Sequence, residues 1–314
     1  MNMRWMAAGI TLAAWLGSPA AEARQPIIVL TGGASGVYYP LGVTIAKIYA
    51  DIPDSQVEVQ TTDGSVENLM RLQQGTGQIA FALGDALQDG WKGNAAAGFD
   101  GKLDKLRVIG ALYPSFIQIV ATKASNIRAL IDLKGKSIAI GADKSGTELN
   151  ARAILKAAGI KESDLGRIDN KSFSESTQAM VKKQLDATLQ SAGLGVTSLK
   201  ELSDNNEIVL VPVPRPVVVR MGAPFRPGVI PASTYRGQDK AVPTAMVMNY
   251  LVTSAAVSDD LAYQLTKLVY DSLPELAIAH MVGEEIKLQN AAKSGPVPLH
   301  PGAIRYFKEK KLLK

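Results

Sequence analysis

The stretch Pro26–Ala50, PIIVLTGGASGVYYPLGVTIAKIYA, holds three structural signals in one short run. Ile27 to Leu30 is a continuous apolar run of strand length. Thr31 to Gly36 is rich in glycine and contains a serine. From Pro40 onward Leu41, Ile45 and Ile48 recur on one helical face, with proline near the first turn, where its missing N–H costs nothing. The order is strand, glycine turn, helix.

The same order continues downstream. Val57 to Gln60 alternates as a strand does, and Asp63-Gly64-Ser65 opens a helix carrying Val66, Leu69 and Met70 that Gly75 ends. Gln78 to Leu83 completes a β-α-β-α-β pattern, the mark of a parallel sheet covered by helices. After a loop at Gly93–Gly101, Leu106–Leu112 and Phe116–Ala121 read as two strands separated by Tyr113-Pro114-Ser115. A second α/β round runs from Lys136–Ile140 through Gly141–Thr147 into a helix that reaches Gly159. Asp186–Gln190, Glu207–Val213 and Pro216–Arg220 follow as strand-like runs. Prolines from Pro212 to Pro231 predict an extended connector with little helix. Ala245–Thr253 is a strand, and the remainder is helical, with Asp259 and Asp260 starting one helix and Pro301 the last. The expected fold is α/β with two lobes, each a mostly parallel sheet flanked by helices, and a ligand cleft between them. Residues 24–115 and 245–314 form lobe 1, 116–244 form an inserted lobe 2, and the chain crosses near Tyr113 and Asn249.

Composition narrows the setting. Met1 to Arg4 is basic, Trp5 to Leu16 is apolar but too short to span a bilayer, and Ala21-Glu22-Ala23 fits a small-x-small cleavage site. Residues 1–23 are therefore expected to be a signal peptide directing the protein to the periplasm. About half of the residues are hydrophobic (46%), enough for a large core. The net charge of +5 is dispersed, and Lys308–Lys314 reads as a solvated helix end, so no nucleic acid is expected. The chain has no cysteine, which excludes disulfides and thiolate chemistry, and only two histidines, His280 and His300. No metal set, cofactor motif or oligomerisation signal stands out, and a monomer is expected.

Reaction chemistry finds little support. Thr31–Tyr38 contains no G-x-G-x-x-G, and Gly141-x-x-x-x-Gly146 is followed by Thr147-Glu148 where a phosphate loop needs Lys-Ser/Thr. Ser35 resembles a nucleophile elbow without its G-x-S-x-G spacing. His280 lies in an apolar helical stretch, and His300 reads as a turn residue or as a cap for the last helix. Catalysis is not expected. The remaining signal is a set of polar loops at strand ends: Gly32–Ser35, Thr61–Ser65, Gly84-Asp85 and Lys144–Thr147. In open sheets such ends face the ligand crevice, and helix N-termini there favour an anion. Ser65, Ser145 and Thr147 are equally suited to capping their own helices. Of Tyr38 and Tyr39, only one can face the core.

Taken in order, these segments resemble the TAXI family, the TRAP-associated extracytoplasmic immunogenic solute-binding proteins. The resemblance rests on TGGASGVYYPLG (Thr31–Gly42), TTDGSVENL (Thr61–Leu69), QIAFALGD (Gln78–Asp85), IDLKGK (Ile131–Lys136) with SGT (Ser145–Thr147), IPASTYRGQD (Ile230–Asp239), YLVT (Tyr250–Thr253) and PLHPGA (Pro298–Ala303). It implies a two-lobed receptor that captures a small carboxylate, such as a glutamate-like amino acid or a 2-oxo or dicarboxylate, and delivers it to the membrane subunits of a TRAP transporter. It implies ligand contacts from Ser35, Gly36, Tyr38, Thr62, Ser65, Asn68, Asp85, Ser145, Gly146 and Thr147, with Gln190 added at a strand end. GADK (Gly141–Lys144) is more charged than the family pattern, and Lys144 is placed to meet a second ligand carboxylate. Two other roles compete: a receptor feeding a membrane sensor kinase, and an exported α/β hydrolase, which needs Ser35 beside a histidine.

Overall fold

The computed structural model describes residues 25–293 and 295–314; the expected signal peptide lies outside them. Ten strands form one continuous sheet: β1 (Gln25–Leu30), β2 (Ser55–Gln60), β3 (Ile79–Leu83), β4 (Leu106–Thr122), β5 (Ser137–Ala139), β6 (Arg167–Asp169), β7 (Ala187–Ala192), β8 (Ile208–Val211), β9 (Arg226–Ile230) and β10 (Val242–Ser254). The order is β2-β1-β3-β10-β4-β7-β5-β6, with β8 on β4 and β9 on β10. The helices are α1 (Tyr38–Tyr49), α2 (Ser65–Gln74), α3 (Gly84–Lys92), α4 (Gly146–Ala158), α5 (Phe173–Val181), α6 (Thr197–Asn205), α7 (Arg215–Met221), α8 (Asp259–Asp271), α9 (Leu273–Ala279), α10 (Leu288–Ala291) and α11 (Pro301–Glu309).

The outer strands are parallel on both sides, β2-β1-β3 on one and β7-β5-β6 on the other, as βαβ crossovers require. The middle is antiparallel because β4 carries the chain from the first side to the second and β10 brings it back. At this junction the strand expected to break at Tyr113-Pro114-Ser115 is unbroken. The ladder instead shifts register opposite it, with Met248 facing Pro114 and Tyr250 facing Ala111. Proline has no N–H to give to a ladder, and a bulge accommodates it there.

The proline-rich connector is also more ordered than expected. Pro216 sits in the first turn of α7, where its fixed φ is compatible with a helix, and Pro227 lies in β9, paired only with β10. What read as a strand at Pro216–Arg220 is therefore a helix.

Helix α1 shows how the sequence pattern becomes packing. Leu41, Ile45 and Tyr49 recur every fourth residue and are buried, each aliphatic side chain contributing about 2–3 kcal/mol, while Ile48 is only half-buried. Gly42 lets the helix lie directly on the sheet: a Cβ there would stand 2.3 Å from Thr31 Cγ2. Leu41, Ile45, Phe81, Tyr306 and Phe307 belong to one large core, and Ile117, Ile138, Ile154 and Val218 to another beside β5.

Asn249 joins the crossing strands. Fully buried, it donates through Nδ2 to the Tyr113 carbonyl (2.9 Å) and Ser115 Oγ (2.8 Å), and its Oδ1 accepts from Tyr38 OH (2.6 Å). Asn249→Ala strands three buried partners at once. Urea unfolding is expected to show a loss of about 3 kcal/mol, against well under 1 kcal/mol for a typical exposed site.

Candidate functional site

A cavity of about 100 Å³ lies between the two sides of the sheet. It is lined from the first side by Gly32, Ser35, Gly36, Tyr38, Thr62, Asp63, Ser65 and Leu83, and from the second by Ser145, Gly146, Thr147, Phe173 and Ser191. Tyr113 and Ser115 close it at the strand crossing.

Four helices begin at this cavity: α1 at Tyr38, α2 at Ser65, α4 at Gly146 and α5 at Phe173. Each is longer than two turns, so each presents the positive end of its dipole and first-turn N–H groups with no partner in the helix. Two begin at strand ends, α1 after β1 and α2 after β2. The local chemistry differs among them. Ser145 caps α4, its Oγ accepting from the Glu148 N–H at 3.1 Å, and Ser172 caps α5 through a capping box with Glu175. Helix α2 has no side-chain cap. Its N-cap is Gly64 at φ +118°, a conformation open to glycine, and Ser65 Oγ instead accepts from the Leu83 N–H (3.1 Å), pinning α2 to the end of β3. Thr147 Oγ1 accepts from the Ser191 N–H rather than capping.

The two sides are in contact around the cavity. The Glu67 N–H donates to the Lys144 carbonyl (3.3 Å), and Asn150 Nδ2 on α4 donates to Asp85 Oδ2 on α3.

Eight of the eleven residues singled out from sequence line the cavity: Ser35, Gly36, Tyr38, Thr62, Ser65, Ser145, Gly146 and Thr147. Tyr38 is the tyrosine that faces it, stacked on Phe81 with ring centres 4.9 Å apart and its hydroxyl engaged by Asn249. The other three lie outside the lining. Asn68 is buried beneath it, donating to the Thr31 and Phe81 carbonyls and accepting from Thr62 Oγ1 (2.7 Å), so it fixes the loop that carries Thr62. Gln190 accepts from Ser198 Oγ (2.7 Å) and points toward α5 and α6. Asp85 pairs with Asn150.

Tyr113, Ser115, Phe173 and Ser191 line the cavity without having been expected there. Ser191 follows Gln190 in β7, and successive strand residues face opposite ways, so the reading was one residue off the cavity face. Lys144 is exposed and does not line the cavity, contrary to the role considered for it.

No lysine, arginine or histidine is among the described lining residues; the only charged one is Asp63, exposed at the mouth. Its carboxyl is held above the usual range by partial burial and by Glu67, Asp143 and Glu175, with Lys144 opposing. His300 caps α11, its Nδ1 accepting from the Gly302 N–H at 3.2 Å, and His280 accepts from the Val282 N–H. Ser35 thus has no imidazole among the cavity residues to take its proton.

Residues 29–310 match the NMT1-like family. The chain belongs to that family. It is a family of periplasmic solute-binding proteins of ABC-type transporters, and the match bears that name and not that of the TAXI family that the motifs resemble. Solved structures agree in fold. MatC from Rhodopseudomonas palustris with bound malate is 12% identical, with 92% of this chain and 97% of MatC covered and a TM-score of 0.59. The periplasmic binding protein BugD is 13% identical (92% and 94% covered, TM-score 0.55). The alkanesulfonate-binding protein SsuA from Xanthomonas axonopodis pv. citri, bound to MOPS, is 16% identical (94% and 96%, 0.51). No helix among the described residues of this NMT1-like protein is long and apolar enough to cross a membrane.

The Asp85–Asn150 pair predicts a pH dependence of stability. Burial pushes the Asp85 carboxyl up to about 7, with Asp89 adding to the shift and the Ala86 N–H and Asn150 opposing it. A folded-state pKa above the unfolded value means the contribution is complete below the unfolded pKa and is lost as pH rises through the folded one. Asp85→Asn keeps the shape without the charge. Urea midpoints from about pH 4 to pH 7 should fall for the wild type relative to the variant, by up to about 4 kcal/mol in stability. Parallel curves would mean that Asp85 titrates alike in the folded and unfolded states.

Proposed function

We propose that this protein is a periplasmic receptor that captures a small carboxylate and delivers it to a TRAP-type membrane transporter. The observation that carries this reading is the convergence of four helix N-termini and a ring of hydroxyls on a cavity with no cationic side chain. Such a site stabilises an anion through oriented N–H groups and dipoles, without the desolvation cost of a buried lysine or arginine. Carboxylate rather than another anion is favoured by the motif resemblance to TAXI proteins; of the similarly folded proteins, MatC holds malate and SsuA the sulfonate MOPS. We further infer two moving lobes, residues 24–115 with 245–314 and residues 116–244, that close by rotation about β4 and β10. The ligand favours closure because only the closed form brings α1 and α2 together with α4 and α5 around it.

Two measurements test this. In a thermal-shift screen of small carboxylates, a ligand at 100 times its Kd adds about 2.7 kcal/mol, a rise of several degrees. If no carboxylate raises the Tm, the reading fails. Closure is tested at Gly146, where a Cβ would stand 2.7 Å from both Leu83 Cδ1 and Ser65 Oγ across the cavity. Gly146→Ala is expected to weaken ligand binding by at least about tenfold, because the clash exists only when the sides meet, while alanine favours the helix itself. Unchanged affinity would argue against closure at this point.

A further inference from the structure

Buried polar side-chain atoms without a partner are rare in folded proteins. Among the described residues they are Asp85 Oδ1, Asn150 Oδ1, Tyr113 OH and Ser191 Oγ. The first two belong to the Asp85–Asn150 pair, joined through Asn150 Nδ2 and Asp85 Oδ2. The other two belong to residues lining the cavity: Tyr113, fully buried, and Ser191, 8% exposed. Burial and the nearby Tyr38 hold the Tyr113 phenol well above its usual pKa, so it remains a donor.

The deep end of the cavity, formed by Tyr113, Ser115, Ser191 and Ala192, contains hydroxyls and a methyl group but neither a carboxylate nor a cation. The mouth is mostly acidic, with Asp63 in the lining and Glu67, Asp143 and Glu175 acting on it against the cation Lys144. A second ligand carboxylate would thus meet no cation at the deep end and a net acidic balance at the mouth. An α-ammonium would find no counter-charge at the deep end. Size points the same way. An apolar cavity of roughly 150 Å³ accommodates benzene; this one is about 100 Å³. Lactate and pyruvate equal benzene in non-hydrogen atoms, whereas malate and glutamate exceed it by half or more.

Building on the carboxylate reading above, we propose that the solute is a short monocarboxylate with a hydroxyl or oxo oxygen beside its carboxylate, and that Tyr113 OH and Ser191 Oγ hold that oxygen. The helix N-termini take the carboxylate, and the two hydroxyls select against acids that lack the second oxygen.

Isothermal titration of the wild type, Tyr113→Phe and Ser191→Ala with pyruvate, lactate, propionate, alanine, malate and glutamate tests this. Pyruvate or lactate should bind the wild type tightest, with propionate and alanine at least about tenfold weaker, the worth of one well-placed hydrogen bond. Tyr113→Phe should cost pyruvate or lactate about tenfold, leave propionate within about twofold, and leave the ligand-free Tm no lower, since it removes an unpaired hydroxyl. Ser191→Ala should act in the same direction. Malate or glutamate binding tightest would overturn the inference while leaving the carboxylate reading standing. So would alanine matching lactate, or Tyr113→Phe weakening propionate as much as lactate. Binding of no acid in the panel would overturn both.

Discussion

The structure depends on Asn249, one buried amide at the point where two strands cross. Its side chain holds the Tyr113 carbonyl and Ser115 Oγ of β4 and receives the hydroxyl of Tyr38 from α1. The bulge between Met248 and Tyr250 is placed there, opposite a proline that gives the ladder no N–H. Its backbone lies against Leu83, at the end of β3 where Ser65 attaches. The start of α1, the floor of the cavity and the sheet crossing are thus tied to one fully buried residue, where each hydrogen bond resists being broken singly.

The electrostatics of the cavity follow from this geometry. β1 and β2 end at the cavity and feed α1 and α2, and α4 and α5 bring their first turns from the other side. The positive potential comes from backbone dipoles and not from lysine or arginine, while the side-chain charges at the mouth are mostly acidic. In the proposed function an anion meets groups that need little reorganisation, and a long or doubly charged one is opposed. The neighbouring Asp85–Asn150 contact joins the same two sides through a carboxyl whose pKa burial pushes up to about 7.

Much of this was legible in the chain. The strand, glycine turn and helix at Ile27–Tyr49 read directly, because periodicity is local physics. So did the return strand near Asn249. Of the three hydroxyls left open between capping and ligand, only Ser145 caps its helix. Eight of the predicted contacts line the cavity because glycine and hydroxyl residues at strand ends have few other reasons to cluster. Asn68, Asp85 and Gln190 carried the same polar signal, yet the fold uses them to bind backbone and neighbouring side chains. Residue type reports that a polar group needs a partner; it does not say whether the partner is protein or ligand.

Sequence by itself determined the opening β-α-β-α-β order and the absence of thiolate chemistry, both properties of neighbouring or counted residues. Only the tertiary structure decided that Tyr113 and Ser191, more than seventy positions apart, share a wall of one cavity with their hydroxyls unpaired. It also decided that Lys144 stays out of the cavity and that the crossing strands form a single sheet. These outcomes depend on the register of β4 against β7 and β10, and a shift of one residue along a strand turns every side chain to the opposite face.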